Sequence, residues 1–285
     1  MLVYVNGHFL PREEAHVSVF DHGFLYGDGI YETLRAYQGK IFLLSKHLSR
    51  LKQSAEAISL SLPLPLEKIG DALKESLTVN KLSEAYLRIQ ISRGPGEIGL
   101  DPALCPAPTM VIAAKPFKDY PREHYEKGVA VSVVNTRRNH PQALSPAVKS
   151  TNFLNNILAK IESLKAGAYE GIMLNWEGLV AEGTISNIFI VKKGVLMTPG
   201  LESGILEGVT RDLVIHLAHK AGIPVEESAI KPRDLLKAEE CFITNTTVEV
   251  MPVTTIDGTA VGDGRPGAVT RRLMEAYKEE VLRHV

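Results

Sequence analysis

The chain begins with two short apolar-rich stretches, residues 2–5 and 8–10, on either side of Asn6-Gly7. Asn-Gly suits a two-residue turn whose twist matches paired strands, so this stretch predicts a β-hairpin. A second hairpin is predicted over residues 32–42, turning at Gln38-Gly39. From Ser45 the period changes. Leu48, Leu51, Ala55 and Ile58 recur at three and four residues, the spacing that lines one face of a helix. Residues 63–66 interrupt it, and 66–77 read as a second helix. Strands are expected at 85–92 and 109–114. Residues 115–121 hold two prolines and no periodicity, which marks a boundary.

Beyond the boundary, 129–134 is strand-like, and 152–164 is helical with Phe153, Leu154, Ile157, Leu158, Ile161 and Leu164 on one broad face. Short strands are predicted near 172–174, 179–181, 187–191 and 195–197. A helix from 210 to 221 stops at Gly222. Strands near 242–244, 249–252 and 254–256 follow, and a helix over 271–282 closes the chain. Strands and helices mix without strict alternation. This predicts an α+β, or irregular α/β, fold of two domains, 1–118 and 119–285, and not a doubly wound parallel sheet.

Composition narrows the classes. With 285 residues, 45% hydrophobic and 23% charged, the chain is long enough for a large core. A net charge of −1 with dispersed Lys and Arg gives no nucleic-acid or membrane footprint. Cys105 and Cys241 read as free thiols. The N-terminus lacks the basic and apolar regions of a secretory signal, so a cytoplasmic location is expected. Gly94, Gly96 and Gly99 spell a dinucleotide-type glycine pattern, but Pro102, Pro106 and Pro108 follow where the helix should open, and that reading is declined. His216 and His219 have a metal-pair spacing but no third ligand, so no metal site is expected.

Four segments hold candidate chemistry. Lys149 stands between an apolar strand end and a helix start, where Ser150 or Thr151 would cap the helix. The positive end of a helix and partial burial both disfavour an ammonium, which suits a lysine that attacks carbonyls. Glu182 is embedded in the stretch Glu182-Gly183-Thr184-Ile185-Ser186-Asn187, where a carboxylate held in a sheet suits a protonated ring nitrogen. Gly208-Val209-Thr210 precedes a helix, so the amides of Val209 and Thr210 form an anion site, although Thr210 serves equally as a simple cap. Thr246 and Thr247 make a hydroxyl-rich turn, and Arg50 supplies a helical cation. Taken singly, each has an ordinary reading: a loop lysine, turn residues, a cap, a solvated arginine.

Together they resemble the class IV, or fold-type IV, aminotransferases. The resemblance runs through Phe20-Asp21-His22-Gly23, Tyr26-Gly27-Asp28-Gly29, Tyr31-Glu32, His47-Leu48-Ser49-Arg50-Leu51, the Lys149 segment, the Glu182 segment, Gly208-Val209-Thr210-Arg211 and 246–252. It implies that Lys149 holds pyridoxal 5'-phosphate and shuttles the substrate proton, and that Glu182 pairs with the ring nitrogen. Arg50, Val209, Thr210 and Thr246 would bind the phosphate. It further implies a smaller N-terminal α/β domain, a larger C-terminal domain with a barrel-like sheet, a site between them, and a homodimer whose loops reach the neighbouring site. Residues 86–88 and 93–102 resemble the branched-chain group, with Tyr86 and Arg88 near the substrate carboxylate and Thr247 also at the substrate. Ile98 and Leu100 are apolar where D-amino-acid enzymes place a carboxylate trap. Thr33 and Phe153 depart from the branched-chain pattern, and Tyr31-Glu32 also occurs in D-amino-acid enzymes. L-branched-chain transamination, D-amino-acid transamination and aminodeoxychorismate lyase therefore all stand as readings. Tyr31 and Arg35 are candidate substrate contacts under either transaminase reading.

Overall fold

The computed structural model describes all 285 residues and resolves two compact units. The first comprises Met1–Lys118, Val148–Phe153 and His284–Val285; the second comprises Asp119–Ala147 and Leu154–Arg283. The chain thus returns to the first unit for the six residues that include Lys149. No helix is long and apolar enough to cross a membrane.

The first unit contains β1 (Leu2–Val5), β2 (His8–Pro11), α1 (His22–Tyr26), β3 (Gly29–Tyr37), β4 (Lys40–Ile41), α2 (Leu44–Ala57), α3 (Leu66–Val79), β5 (Ala85–Ser92) and β6 (Thr109–Pro116). Its six strands form one antiparallel sheet in the order β2-β1-β6-β5-β3-β4. The predicted first hairpin is β1–β2, with Val5 opposite His8 across Asn6-Gly7. Side chains alternate along β3 and β5 as pleating requires. Ile30, Leu34, Leu87, Ile89 and Ile91 face the core that α2 and α3 cover. Tyr31, Thr33 and Arg35 share the opposite face with Gln90, Arg88 and Tyr86, their register partners. The glycine-rich stretch after β5 is a close-packed loop. Gly94 has φ +97°, and a Cβ there would overlap the Ala107 carbonyl oxygen.

The second unit contains α4 (Arg122–Lys127), β7 (Val129–Val133), α5 (Leu154–Lys165), β8 (Glu170–Leu174), β9 (Val180–Gly183), β10 (Asn187–Lys192), β11 (Val195–Thr198), α6 (Val209–Lys220), β12 (Val225–Glu227), α7 (Pro232–Leu235), β13 (Glu240–Asn245), β14 (Glu249–Ile256) and β15 (Thr259–Ala260). The C-terminal α8 (Ala268–His284) follows. The sheet runs β12-β11-β10-β13-β14-β7-β8-β9, with β15 beside β14. β9 and β10 stand far apart in that order, yet they touch and are joined by only three residues. The sheet therefore curls back on itself into the expected barrel-like form. The expected helix at 152–164 begins at Leu154, and its apolar face does not enter the core. Leu154, Ile157, Leu158, Ile161 and Leu164 are 43–64% exposed.

Candidate active site

In the first unit the site is built on the first half of β3. β4 pairs only with Ala36 and Tyr37, which leaves the outer edge of β3 free near Gly29. The Lys149 segment fills that edge. Tyr31 N–H donates to the Lys149 carbonyl at 3.0 Å, and Thr151 N–H donates to the Gly29 carbonyl at 2.8 Å. The Thr151 hydroxyl donates to the Gly27 carbonyl at 2.9 Å, so Thr151 ties the segment to β3 and does not cap a helix. Ser54 of α2 accepts from the Lys149 N–H at 3.1 Å. With its main chain held on both sides, Lys149 is half-buried and places Nζ 4.5 Å from the centre of the Tyr31 ring. The Arg88 guanidinium lies 4.1 Å from the same ring, and Phe153 packs against it at 5.0 Å. Tyr31 thus has both basic side chains within cation–π reach of its ring. Tyr86 extends this wall, with its hydroxyl 3.5 Å from that of Thr33. Arg35 lies further along the strand, 3.6 Å above the Phe117 ring and 4.4 Å from that of Tyr37.

The core face of the same strand carries Glu32, which is 1% exposed. His47, Arg50 and Ser54 fall on one face of α2 because they are spaced by three and four residues. Arg50 Nε and Nη2 donate to the two Glu32 oxygens at 2.7 and 2.8 Å, and His47 Nδ1 lies 2.8 Å from Glu32 Oε2. Burial pushes the Glu32 carboxyl up, but Arg50 and the hydrogen bonds from Arg50 and His47 outweigh it and hold the group at about 2. Burial lowers His47, against Glu32 which raises it, with Arg50 and Lys149 adding to the lowering. Arg50, expected at a phosphate, is therefore first of all clamped to a buried carboxylate.

In the second unit Glu182 lies near the end of β9 and is 5% exposed. Its Oε1 accepts from Arg138 Nε at 2.7 Å. Its Oε2 accepts from the Leu206 N–H at 3.0 Å and Asn187 Nδ2 at 3.4 Å. The charge-assisted bond and the main-chain donor fix the orientation of the carboxylate. α6 begins at Val209 with Gly208 as its N-cap, and no side chain caps the end. A Cβ at Gly208 would overlap Asn187 Oδ1, so the position requires glycine. Thr210, expected as a possible cap, lies inside the first turn and is buried. In the 246–248 turn, Asn245 Oδ1 accepts from the Thr247 N–H, the Thr247 hydroxyl and the Val248 N–H at 2.8, 2.9 and 2.9 Å. The Thr247 hydroxyl also lies 3.1 Å from that of Tyr120. Thr246 sits half-buried in the turn.

Comparison with known proteins decides what this assembly belongs to. The family "Amino-transferase class IV" matches residues 29–256. This chain is a class IV aminotransferase. Within the family, it is 45% identical to a protein of Methanocaldococcus jannaschii named putative branched-chain-amino-acid aminotransferase, over 98% of this chain and 96% of that one. It is 36% identical to D-alanine aminotransferase of Listeria monocytogenes, over 99% and 97%. A branched-chain amino acid aminotransferase from T.th., solved with pyridoxamine 5'-phosphate, has a TM-score of 0.95 at 34% identity and covers 100% of this chain and 95% of its own. Other structures of that enzyme hold N-(5'-phosphopyridoxyl)-L-glutamate and 4-methylvaleric acid.

In this aminotransferase the first unit brings together Lys149, Tyr31, Arg88 and Phe153, and clamps Arg50 separately on the core face. Arg35 is set apart from that cluster by its stack on Phe117. Sequence reasoning missed Arg138, which lies in a polar loop without periodicity, and it assigned no role to Asn187. It also missed the Glu32–His47 pair. The spacing of His47, Arg50 and Ser54 by three and four residues, which puts three polar side chains on one face of the helix, was a usable signal.

Proposed function

We propose that this chain is a pyridoxal-phosphate-dependent aminotransferase acting on L-branched-chain amino acids with a 2-oxo acid acceptor such as 2-oxoglutarate, in the cytoplasm and as a homodimer. The observation that carries the reading is the fixed lysine: two main-chain hydrogen bonds to β3 and one from Lys149 to Ser54 hold it against an aromatic wall. The residues present fit the cofactor. There is a primary amine, a buried carboxylate held by a guanidinium, and a helix N-terminus with glycine in place of a capping side chain.

When bound, pyridoxal phosphate supplies a reactive carbonyl and an electron-withdrawing ring. Lys149 Nζ would hold the group and, once freed by the substrate amine, would accept the proton from the substrate α-carbon as general base and pass it on as general acid. Glu182, held by Arg138, would accept from the ring N–H and so keep the nitrogen protonated. The N–H groups of Val209 and Thr210 would hold the phosphate, with Thr246 and Arg50 as further ligands. Tyr31, Arg88 and Tyr86 form the substrate wall, Arg88 meeting a carboxylate, with Thr247 on the substrate and Arg35 at the margin. 4-Methylvaleric acid, held by the T.th. enzyme, is leucine's carbon skeleton without the amino group, which supports an aliphatic donor here. The apolar faces left exposed, Ile157 and Ile161 on α5 and Ile98 and Leu100 after β5, support the dimer.

D-alanine transamination is the second reading, favoured by the Listeria relative and by the departures at Thr33 and Phe153. Phe153 packs its ring on Tyr31 and has no hydroxyl to offer the cofactor. Mixing the loaded enzyme with L-leucine or D-alanine, without acceptor, separates the two. Bleaching of the cofactor's visible band by L-leucine alone supports the proposal, and bleaching by D-alanine alone replaces it with the second reading.

A further inference from the structure

Glu170 starts β8 and is 2% exposed, and no role has yet been attached to it. A carboxylate this deeply buried must be compensated by donors. Its partners lie mainly in the turn between β9 and β10. Oε1 accepts from the N–H groups of Gly171 and Thr184 at 2.9 and 3.2 Å and from the Thr184 hydroxyl at 2.5 Å. Oε2 accepts from the Ile185 N–H at 3.4 Å and the Ser186 hydroxyl at 3.1 Å. Three consecutive residues therefore wrap one carboxylate. Glu182 stands two residues before them and Asn187, which donates to Glu182, immediately after.

The same turn is held from outside. Asn156 Nδ2 donates to the Thr184 carbonyl at 2.7 Å, and Asn245 Nδ2 donates to the Ile185 carbonyl at 3.2 Å. Asn245 is also the residue whose Oδ1 organises the Thr246–Thr247 turn. A continuous chain of hydrogen bonds runs from Glu170 through residues 184–186 to Asn245 and on to Thr247. All of it lies within the second unit.

We propose that Glu170 is a positioning residue for the bound cofactor: by fixing the 184–186 turn it sets the aim of Glu182 at the ring and, through Asn245, the shape of the hydroxyl-rich turn at the phosphate. This rests on the reading of Glu182 and Thr246 given above. A buried network acts as a unit when every donor and acceptor is satisfied. Replacing one oxygen of Glu170 by an NH2 group sets a donor against donors and releases the turn, while the sheet on either side keeps its own ladder.

The test compares wild type with Glu170→Gln in four measurements: pyridoxal phosphate affinity, the pH midpoint of the visible band, the phosphorus NMR resonance of the bound phosphate, and the melting temperature of the cofactor-free protein. The variant is expected to bind the cofactor about tenfold more weakly or worse, the scale of one buried acceptor lost. Both the band midpoint and the phosphorus resonance should move. A lower melting temperature with affinity, band and resonance all as in wild type would mean that Glu170 only holds the fold, and would overturn the proposal. If Glu170→Gln does not fold, Ser186→Ala removes a single donor from Oε2 and is judged by the same readouts. A wild-type protein that takes up no pyridoxal phosphate would overturn the parent reading itself, whatever the variants do.

Discussion

Lys149 and Glu182 do different work, and replacing each leaves a different trace. Lys149 is half-buried and held by its main chain, so its side chain is not needed for the fold. Lys149→Ala is expected to retain a native circular dichroism spectrum while losing the visible band and all borohydride-fixed cofactor. A retained band would remove Lys149 from its role. Glu182→Gln keeps shape but loses the charge that holds a proton on the ring. Turnover is expected to fall on the order of 100-fold, with cofactor affinity changed by less than about tenfold. Unchanged turnover would mean the ring partner lies elsewhere. Glu32 makes a pH prediction. Its carboxyl is held at about 2 in the folded protein, below the ordinary carboxylate value of 4.5. A group lowered on folding stabilises above its unfolded value, and that stability is lost as the pH falls toward the folded one. The Glu32 contribution, on the order of 3 kcal/mol, should therefore be present at neutral pH and disappear between about pH 4.5 and 2. Urea midpoints across that range measure it. Glu32→Gln should lower the neutral midpoint and flatten the acid limb.

At the scale of elements, the decisive feature is an edge pairing. β3 uses its inner edge for β5 and offers part of its outer edge to the residues around Lys149. Thr151→Pro removes the N–H that bonds to Gly29, and proline cannot serve in a paired strand at that point. The variant is expected to keep the melting transition of the six-stranded sheet while cofactor attachment becomes slow or absent, read as the rate at which the visible band grows. A normal rate would show that Ser54 alone suffices to place the lysine. The periodicities of α2, α3, β5 and β6 were legible because each has one covered face. α1, α4 and α7 were not foreseen, because helices of four to six residues show too little of a 3.6-residue repeat to be read.

At the scale of the whole molecule, α5 bears an apolar stripe that the chain itself does not cover. The sequence shows the stripe as one broad apolar face, and the structure turns Leu154, Ile157, Leu158, Ile161 and Leu164 of that face outward. If a second copy covers it, a charge there will separate the copies. Ile161→Lys, at a residue 43% exposed in the single chain, is expected to shift sedimentation from dimer to monomer. A species that remains dimeric would place the interface on another face.

By itself the sequence determined the hairpins, the amphipathic helices, the mixed class and the set of motifs that mark an aminotransferase, because these depend on local period and on residues close together in the chain. Only the tertiary structure decided what each candidate touches. Arg50 meets a carboxylate eighteen positions away, Arg138 meets Glu182 forty-four positions away, and Glu170 gathers a turn fourteen to sixteen positions downstream. Buried polar groups must find partners wherever the fold brings them, and no local pattern announces which partner that will be.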